Sequence, residues 1–392
     1  MERKVRIGII GVGNMGFAHA ACVHRGEVPG LELGAVCDIA PHRLEECARR
    51  FPEAARYDRY EDLLADGSLD AVIVAVPHPL HTTVAMAALE AGKHVQLEKP
   101  VDISVSRARL LNAVAESSGK VFSITFNQRT NALFQKAREI VQSGALGELK
   151  RSVWIITNWY RTQQYYDSGS WRATWAGEGG GVLLNQCPHQ LDLWQWIVGM
   201  PTEVTAFCDI AKYHHIEVED DVTILTRYPG GATGTFITST GEYPGTNRLE
   251  ITGSLGKLVL EEGKLKWWRL LEDERQVCFT SDRGFAQIPM EYQELEPDHP
   301  ETAHAGILRN FTNAILYGEP LLAPGVEGIR ELTISNAAYL SAWQGSIPVA
   351  IPFDEGKFDE MLAALARGSR EKDTEGNRRF DPNYRKRWQI NW

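Results

Sequence analysis

The stretch VRIGIIGVGNMG, residues 5–16, joins a short apolar run to three glycines in the spacing Gly-x-Gly-x-x-Gly. The run is typical of a buried strand, and the residues after the last glycine follow a helical pattern. In such a strand–turn–helix unit the first glycine permits a tight turn and the second lets a ligand approach the backbone. The third allows close packing of the helix on the strand. The stretch therefore predicts that the chain opens with a unit able to bind a dinucleotide.

The rest of the first 126 residues alternates apolar runs with helical patterns. The predicted strands are Val5–Ile10, Leu31–Cys37, Ala71–Val76, His94–Leu97 and Val121–Phe126. The predicted helices between them are Pro41–Phe51, Leu80–Ala91 and Ser104–Ser118. Regular alternation of this kind predicts an α/β domain, in which helices cover both faces of a parallel sheet.

After Phe126 the pattern changes to closely spaced strands with period-two alternation, which predicts an antiparallel or mixed sheet. The helices expected there are Ala132–Gln142, Pro188–Val198, Thr302–Leu316 and Glu327–Gln344. We therefore divide the chain into a dinucleotide-binding domain at residues 1–126, a substrate and oligomerisation domain at 127–367, and an extension at 368–392. The aromatic residues of this extension are expected to pack on the body of the protein: Phe380, Tyr384, Trp388 and Trp392.

Composition narrows the classes of partner. The chain has 43% hydrophobic and 23% charged residues, as ordinary globular proteins do. A formal charge of −10 with no basic block argues against nucleic acid. The cysteines form no Cys-x-x-Cys pair, which predicts neither a disulfide framework nor a metal site. No uncharged run approaches the ~20 residues that a membrane helix needs. We expect a cytoplasmic protein without a metal.

Two features assign the dinucleotide. Backbone N–H groups at the start of the first helix bind phosphates, so the predicted pyrophosphate contacts are Gly11, Gly13, Asn14, Met15 and Gly16. Asp38 ends the second strand, where its carboxylate can accept hydrogen bonds from the adenosine ribose and repels a 2′-phosphate. NAD is therefore favoured over NADP, although Arg43 nearby weakens the preference.

Ligand-facing residues are also expected after the later strands, because open parallel sheets bind ligands at the carboxyl ends of their strands. The turn VPHPLH, residues 76–81, is either such a loop or simply one stiffened by proline. Lys99, in Glu98-Lys99-Pro100, can accept the proton of a hydroxyl under oxidation if it is partly buried, or it is a surface lysine.

The most informative segment of the second half is EGGGVLLNQCPHQLD, residues 178–192. Pro188 suits the first turn of a helix, which places His189 near the helix start and Asp192 on the same face. His189 is then a neutral proton acceptor, or it forms a structural hydrogen bond with Asp192. Upstream, Trp159 and Trp171 can stack on a sugar ring, while Arg161 and Arg172 can bind hydroxyls or an anionic group. These tryptophans can equally be core residues.

Taken together, the motifs at 11–16, 76–81, 98–100 and 178–192 resemble those of the Gfo/Idh/MocA oxidoreductases. The resemblance implies an N-terminal Rossmann domain and a C-terminal α/β domain. The open, mostly antiparallel sheet of the second domain would carry the substrate site and join a homodimer or homotetramer. The resemblance also implies activity on sugars, inositols or their derivatives with NAD(P), and a cis peptide before Pro100. The remaining coenzyme contacts assigned on this basis are Val76, Pro77, His81, Glu98, Lys99 and Asn127.

The catalytic set that the resemblance implies is a lysine, an aspartate and a histidine. Lys99 and His189 match it, whereas Asn185 stands where the family has aspartate. We expect Lys99 and His189 to meet above the nicotinamide, and we assign substrate contacts to Trp159, Arg161, Arg172, Asn185 and His189. The expected function is a dehydrogenase acting on a ring hydroxyl. The alternatives are an NAD-dependent glycosidase with a transient keto-sugar and a non-catalytic NAD sensor, against which the retained lysine and histidine argue.

Overall fold

The computed structural model describes residues 3–370. Residue contacts divide the chain into two units, Met1–Asn131 with Glu301–Leu332, and Ala132–Pro300 with Thr333–Trp392. Each unit is described by itself below. The aromatic residues of the predicted extension, from Phe380 to Trp392, lie outside the described residues.

The sheet of the first unit is parallel and, within residues 3–370, has six strands in the order β3-β2-β1-β4-β5-β6. The strands are β1 Val5–Ile10, β2 Leu31–Cys37, β3 Ala55–Tyr57, β4 Ala71–Val74, β5 His94–Leu97 and β6 Phe122–Ile124. This is the Rossmann order, with the change of direction between β1 and β4. The predicted parallel sheet is confirmed. Only β3 was missed, because its three residues carry too little apolar pattern.

The sheet of the second unit is mixed, and the described residues form nine strands in the order β14-β13-β12-β11-β7-β10-β9-β8-β15. The strands are β7 Leu149–Ile156, β8 Glu203–Ile210, β9 Glu219–Arg227, β10 Thr233–Ser239, β11 Asn247–Gly253, β12 Gly256–Glu261, β13 Lys264–Leu270, β14 Met290–Leu295 and β15 Val349–Ala350. Strand β10 pairs parallel with β7, and the other pairs are antiparallel. The expected mostly antiparallel sheet is confirmed.

The helices follow the sequence patterns to within one or two residues wherever the pattern predicted one. They are α1 Asn14–His24, α2 Pro41–Arg50, α3 Tyr60–Ala65, α4 His81–Glu90, α5 Val105–Ser118, α6 Ala132–Gln142, α7 Gln163–Asp167, α8 Trp175–Glu178, α9 Pro188–Val198, α10 Glu274–Thr280, α11 Ala303–Tyr317, α12 Gly328–Trp343 and α13 Glu355–Arg367. Both α2 and α9 begin with proline, whose fixed φ suits the first helical position.

One helix belongs to a different unit from the one expected. The sequence-based boundary places helix α11 in the second domain, whereas in the structure this helix belongs to the first unit. Its side chains Leu308 and Phe311 are buried in the same apolar core as Ile7 and Ile9 of β1. The division into units therefore differs from the sequence-based boundary, because chain order cannot show which sheet a distant amphipathic helix covers.

Aromatic packing holds helices α6 and α9 on one face of the second sheet. The Trp194 ring on α9 lies 5.5 Å from Phe236 of β10, and Phe134 on α6 lies 5.9 Å from Trp154 of β7. The Trp194 indole N–H donates to Ser152 Oγ at 2.8 Å, which satisfies the buried donor. These tryptophans are core residues, and they hold α9 and its first turn against the sheet.

Two features are absent from residues 3–370, a membrane-spanning helix and a cluster of metal ligands. No helix in this part of the chain combines the length and the apolar character required to cross a membrane. Over the same residues, no group of three or more His, Cys, Asp or Glu side chains is placed to hold a metal ion.

Candidate active site

The glycine turn between β1 and α1 has the shape that a dinucleotide requires. Gly11 has φ +88°, and a Cβ there would lie 2.5 Å from the Ala75 carbonyl oxygen. A Cβ on Gly16 would overlap the Gly11 carbonyl oxygen. By contrast, a Cβ on Gly13 would meet no heavy atom of the described residues within 4 Å. Two of the glycines are therefore required by the chain itself, whereas Gly13 borders open space that a pyrophosphate can fill.

The groups around this turn also fit NAD. Helix α1 begins at Asn14, and the backbone N–H groups of Asn14, Met15 and the residues beside them form its positive end. Asp38 lies at the end of β2, where Oδ2 accepts from Val12 N and Oδ1 from Ala40 N, both at 2.9 Å. Its carboxylate is thereby held at the edge of the glycine turn. The adjoining Ile39 side chain is 90% exposed, an apolar surface that the sequence did not single out.

The turn after β4 is tied to the Glu-Lys-Pro segment. His81 is buried, with Nδ1 2.6 Å from the Pro100 carbonyl oxygen and Nε2 2.9 Å from that of Val76. Burial lowers the pKa of the His81 ring. Both ring nitrogens thus face the chain's own carbonyl groups, so the imidazole shapes this turn around Val76 and Pro77. The Lys99–Pro100 peptide is cis, which confirms the expectation from the resemblance.

Glu98 belongs to a buried polar cluster that the sequence did not reveal. Its Oε1 atom lies 2.7 Å from His19 Nε2 on α1, and the ring of His304 lies 5.7 Å from that of His19. Burial raises the pKa of Glu98. The hydrogen bond from His19 and the charges of His19, His304 and Lys99 outweigh this effect and lower the pKa to about 2. An ionised carboxylate is therefore held directly before Lys99 in the chain.

Asn127 follows β6 at the same edge of the sheet. The Asn127 carbonyl oxygen accepts from Thr130 Oγ1 at 2.7 Å. The side-chain oxygen Oδ1 is buried, and no hydrogen-bond partner for it lies among the described residues. An acceptor of this kind is available to a bound ligand, which fits the predicted coenzyme contact.

In the second unit, the glycine run packs against a buried acid. Glu219, on β9, accepts from the backbone N–H groups of Gly181 and Leu183 and from the Tyr339 hydroxyl at 2.7–3.1 Å. A Cβ on Gly180 would overlap the Tyr339 hydroxyl, and one on Gly181 would overlap the Glu219 carbonyl oxygen. Burial raises the pKa of Glu219 to about 7. The run is rich in glycine because side chains there would displace these partners.

Three of the predicted substrate residues meet at Tyr165, which the sequence did not single out. The guanidinium groups of Arg161 and Arg172 lie 5.2 Å and 4.6 Å from the centre of its ring. Arg172 also donates from a terminal guanidinium nitrogen to the Tyr165 hydroxyl at 2.9 Å, and this hydroxyl lies 3.4 Å from Asn185 Oδ1. Trp159 is mostly buried, with its ring 5.8 Å from Arg161. Two cations, an aromatic face and an amide are thus gathered in one place.

Glu178 adds a carboxylate to this group. Its Oε1 accepts from Asn185 Nδ2, and its Oε2 accepts from Ala173 N at 2.6 Å. His189 lies in the first turn of α9, directly after Pro188 as predicted. The carboxylate of the neighbouring Asp192 accepts from Gln195 Nε2 at 2.9 Å.

The residues that sequence reasoning missed carried weak signals. Glu178 directly precedes the glycine run, and Tyr165 lies in an aromatic pair on α7. Glu219 begins a strand with an acidic run, which reads as solvent-exposed although it is buried. Only the pairing of distant segments distinguishes these residues from ordinary polar ones.

The six-stranded sheet, the glycine turn and the carboxylate at Asp38 define an NAD-binding Rossmann oxidoreductase. Comparison with known families agrees in both halves of the chain. Residues 5–126 match the oxidoreductase family with an NAD-binding Rossmann fold, and residues 134–259 match the GFO/IDH/MocA C-terminal domain. The chain belongs to the Gfo/Idh/MocA family of oxidoreductases.

Individual relatives match over nearly their whole length. The myo-inositol 2-dehydrogenase of Thermotoga maritima is 25% identical over 85% of this chain and 95% of its own. The NAD(+)-dependent scyllo-inositol 2-dehydrogenase of Bacillus subtilis is 24% identical over 90% of this chain and 97% of its own. Among solved structures, the WlbA dehydrogenase of Bordetella pertussis, in complex with NADH and UDP-GlcNAcA, aligns with a TM-score of 0.75. It is 26% identical over 90% of this chain and all of its own.

Proposed function

We propose that this enzyme transfers hydride between NAD and a ring hydroxyl of a sugar, a sugar derivative or a cyclic polyol. The observation that carries the proposal is the group of side chains around Tyr165. An aromatic ring, two guanidinium groups and an amide suit a ring with many hydroxyl groups, since aromatic faces stack on its C–H surface and the polar groups bind its oxygens. The inositol dehydrogenases to which this chain is similar support the same substrate class.

NAD supplies the hydride acceptor, and this chain supplies the proton acceptor. In the oxidative direction Lys99 or His189 takes the proton of the substrate hydroxyl as the hydride leaves the same carbon, so a ketone and a proton on the enzyme result. Asn185 can orient the hydroxyl but cannot take its proton, because an amide does not ionise near neutral pH. Lys99 and His189 are therefore the two groups that we assign to proton transfer.

The test is a substrate screen with purified protein and NAD. Inositols, aldoses, uronic acids, glycosides and anhydrosugars are each offered, and NADH is followed by its near-ultraviolet absorbance. We expect net NADH formation with at least one ring polyol. Cleavage of a glycoside with no net NADH would contradict the proposal, because a glycosidase returns the hydride to its substrate. A protein that binds NAD and converts no member of the panel would also contradict it.

We further propose that the protein works in the cytoplasm as a homodimer or homotetramer, joined through the sheet of the second unit. Phe207 on β8 and Leu225 on β9 share one face of this sheet and are 54% and 44% exposed. Large apolar side chains on an open sheet face are typical of an association surface. The cysteines of the described residues form no disulfide and are mostly buried, which suits a reducing compartment.

A further inference from the structure

We propose that Glu178 is a positioning residue of the substrate site. Its buried carboxylate holds the Asn185 amide with the nitrogen toward Glu178 and the oxygen toward Tyr165. Position 185 then presents an acceptor, without a charge, to a substrate hydroxyl. The inference rests on the proposed function only for the statement that Asn185 meets the substrate.

Glu178 lies in a buried environment. The residue is the last of α8 and is 2% exposed. Oε2 accepts from Ala173 N at 2.6 Å, which leaves Oε1 facing Asn185. Asn185 Nδ2 donates to the carboxylate oxygen Oε1, so the nitrogen of the amide is turned toward Glu178. The orientation of the Asn185 side chain is thereby set by its partner.

The second step is the other side of the amide. The Tyr165 hydroxyl accepts from Arg172 at 2.9 Å and lies 3.3 Å from the Gln186 side-chain nitrogen, which is also a donor. Since both neighbours donate, the single hydroxyl proton is directed to Asn185 Oδ1 at 3.4 Å. The donors therefore run in one direction, from Arg172 through Tyr165 and Asn185 to Glu178. Aligned hydrogen bonds of this kind strengthen one another.

The consequence concerns the charge at position 185. The carboxylate of the pair is that of Glu178, inside the protein, while Asn185 offers a neutral acceptor oxygen. A neutral acceptor binds a hydroxyl without repelling an anionic substituent nearby. With Arg161 and Arg172 beside it, this arrangement suits a ring polyol that carries a carboxylate or a similar anion.

The experiment exchanges the two groups. In Glu178→Gln, the oxygen of the new amide accepts from Ala173 N, so its nitrogen faces Asn185 and turns the Asn185 amide around. The melting temperature should stay near that of the wild type, but KM should rise by roughly tenfold, because a donor replaces the acceptor. In Asn185→Asp, two carboxylates face each other. The melting temperature should fall by about 5 °C or more, and more at about pH 8 than at about pH 6.

The double variant Glu178→Gln with Asn185→Asp distinguishes pairing from two separate losses. The amide introduced at position 178 can accept from Ala173 and donate to the carboxylate introduced at position 185. The melting temperature should therefore recover, and most of the KM effect should disappear. Asp167→Asn is the matched control, since Asp167 pairs with Gln163 on a partly exposed surface of α7. It should change the melting temperature by no more than about 1 °C.

Two results would overturn the assignment. One is additive losses of melting temperature in the double variant, and the other is an unchanged KM in Glu178→Gln for a substrate that the wild type oxidises. The melting temperatures are measured without substrate. A wild type that converts no sugar would therefore refute the proposed function, while the recovery in the double variant would still decide whether Glu178 and Asn185 act as a pair.

Discussion

The Nε2 atom of His19 on α1 lies 2.7 Å from Oε1 of Glu98 at the end of β5. The ring of His304, on α11, lies 5.7 Å from that of His19. Three segments that are distant in sequence thus place two imidazoles and a carboxylate together, directly before Lys99. Because folding shifts the pKa values of Glu98 and His304, the protonation of these two groups is coupled to the stability of the first unit.

The first prediction concerns acid. Burial lowers the pKa of the His304 ring to about 4, and His19 adds to the shift. An unfolded histidine titrates near ~6.5, so between about pH 6.5 and 4 the unfolded chain binds more protons than the folded one. The melting temperature should fall as the pH is lowered through this window. Below the usual Glu98 pKa of 4.5 a further loss should begin, because the folded protein favours the ionised carboxylate down to about 2.

The control for this prediction is His304→Gln, which removes the titrating ring. Its plot of melting temperature against pH should be flatter than that of the wild type between about pH 6.5 and 4. If the two plots run parallel across this window, His304 is not the group responsible.

The second prediction separates the two roles of glycine in the turn. Gly13→Ala should leave the melting temperature of the NAD-free protein within about 1 °C, because its Cβ enters open space. The same variant should weaken the binding of NAD by about tenfold or more, which is ~1.4 kcal/mol of binding free energy. Gly16→Ala should instead destabilise the fold by about 1–3 kcal/mol, since its Cβ overlaps the Gly11 carbonyl. Equal effects of both variants on stability would contradict this division.

The third prediction concerns the choice of coenzyme. Asp38 should make NAD bind more tightly than NADP by about tenfold or more, measured by titration of the tryptophan fluorescence. Asp38→Asn keeps the size of the side chain but removes its charge, so the preference should narrow. Arg43→Ala should weaken NADP and leave NAD nearly unchanged. Equal affinity of the wild type for the two coenzymes would refute the assignment of Asp38.

The fourth prediction tests the proposed proton acceptors. Lys99→Ala and His189→Ala should each lower kcat by about 10²–10⁴-fold, the usual contribution of general acid–base catalysis. NAD affinity should stay nearly the same. Asn185→Ala should lower kcat by a smaller factor, because it removes a group that orients the substrate hydroxyl but none that transfers its proton. His299→Ala changes an exposed histidine of the second unit and should have no effect. A wild-type rate in either Lys99→Ala or His189→Ala would exclude that residue as the base.

The fifth prediction concerns the open face of the second sheet. Leu225→Arg should reduce the mass of the particle in solution, measured by light scattering, because a buried charge without a partner disrupts an apolar interface. Leu110→Arg is the matched control, since Leu110 on α5 is 61% exposed and belongs to the first unit. An unchanged mass in Leu225→Arg would place the interface elsewhere.

The sequence alone determined that the first unit is built on a parallel sheet and that it binds NAD. Strands buried on both faces appear as continuous apolar runs, and the glycine spacing, Asp38 and the order Lys99 to His189 are local patterns that need no tertiary information. The bounds of β1, β2, β5, α6 and α9 were predicted correctly for the same reason.

Only the tertiary structure decided which polar residues work together. The acceptor for His19 is Glu98, the partner of Asn185 is Glu178, and the glycine run faces Glu219 and Tyr339. The tertiary structure also showed that α11 belongs to the first unit. Hydrogen bonds and core packing depend on short distances between atoms, and residues far apart in the chain carry no local mark of such a distance. A buried carboxylate therefore looks in sequence like a solvated one until the fold supplies its donors.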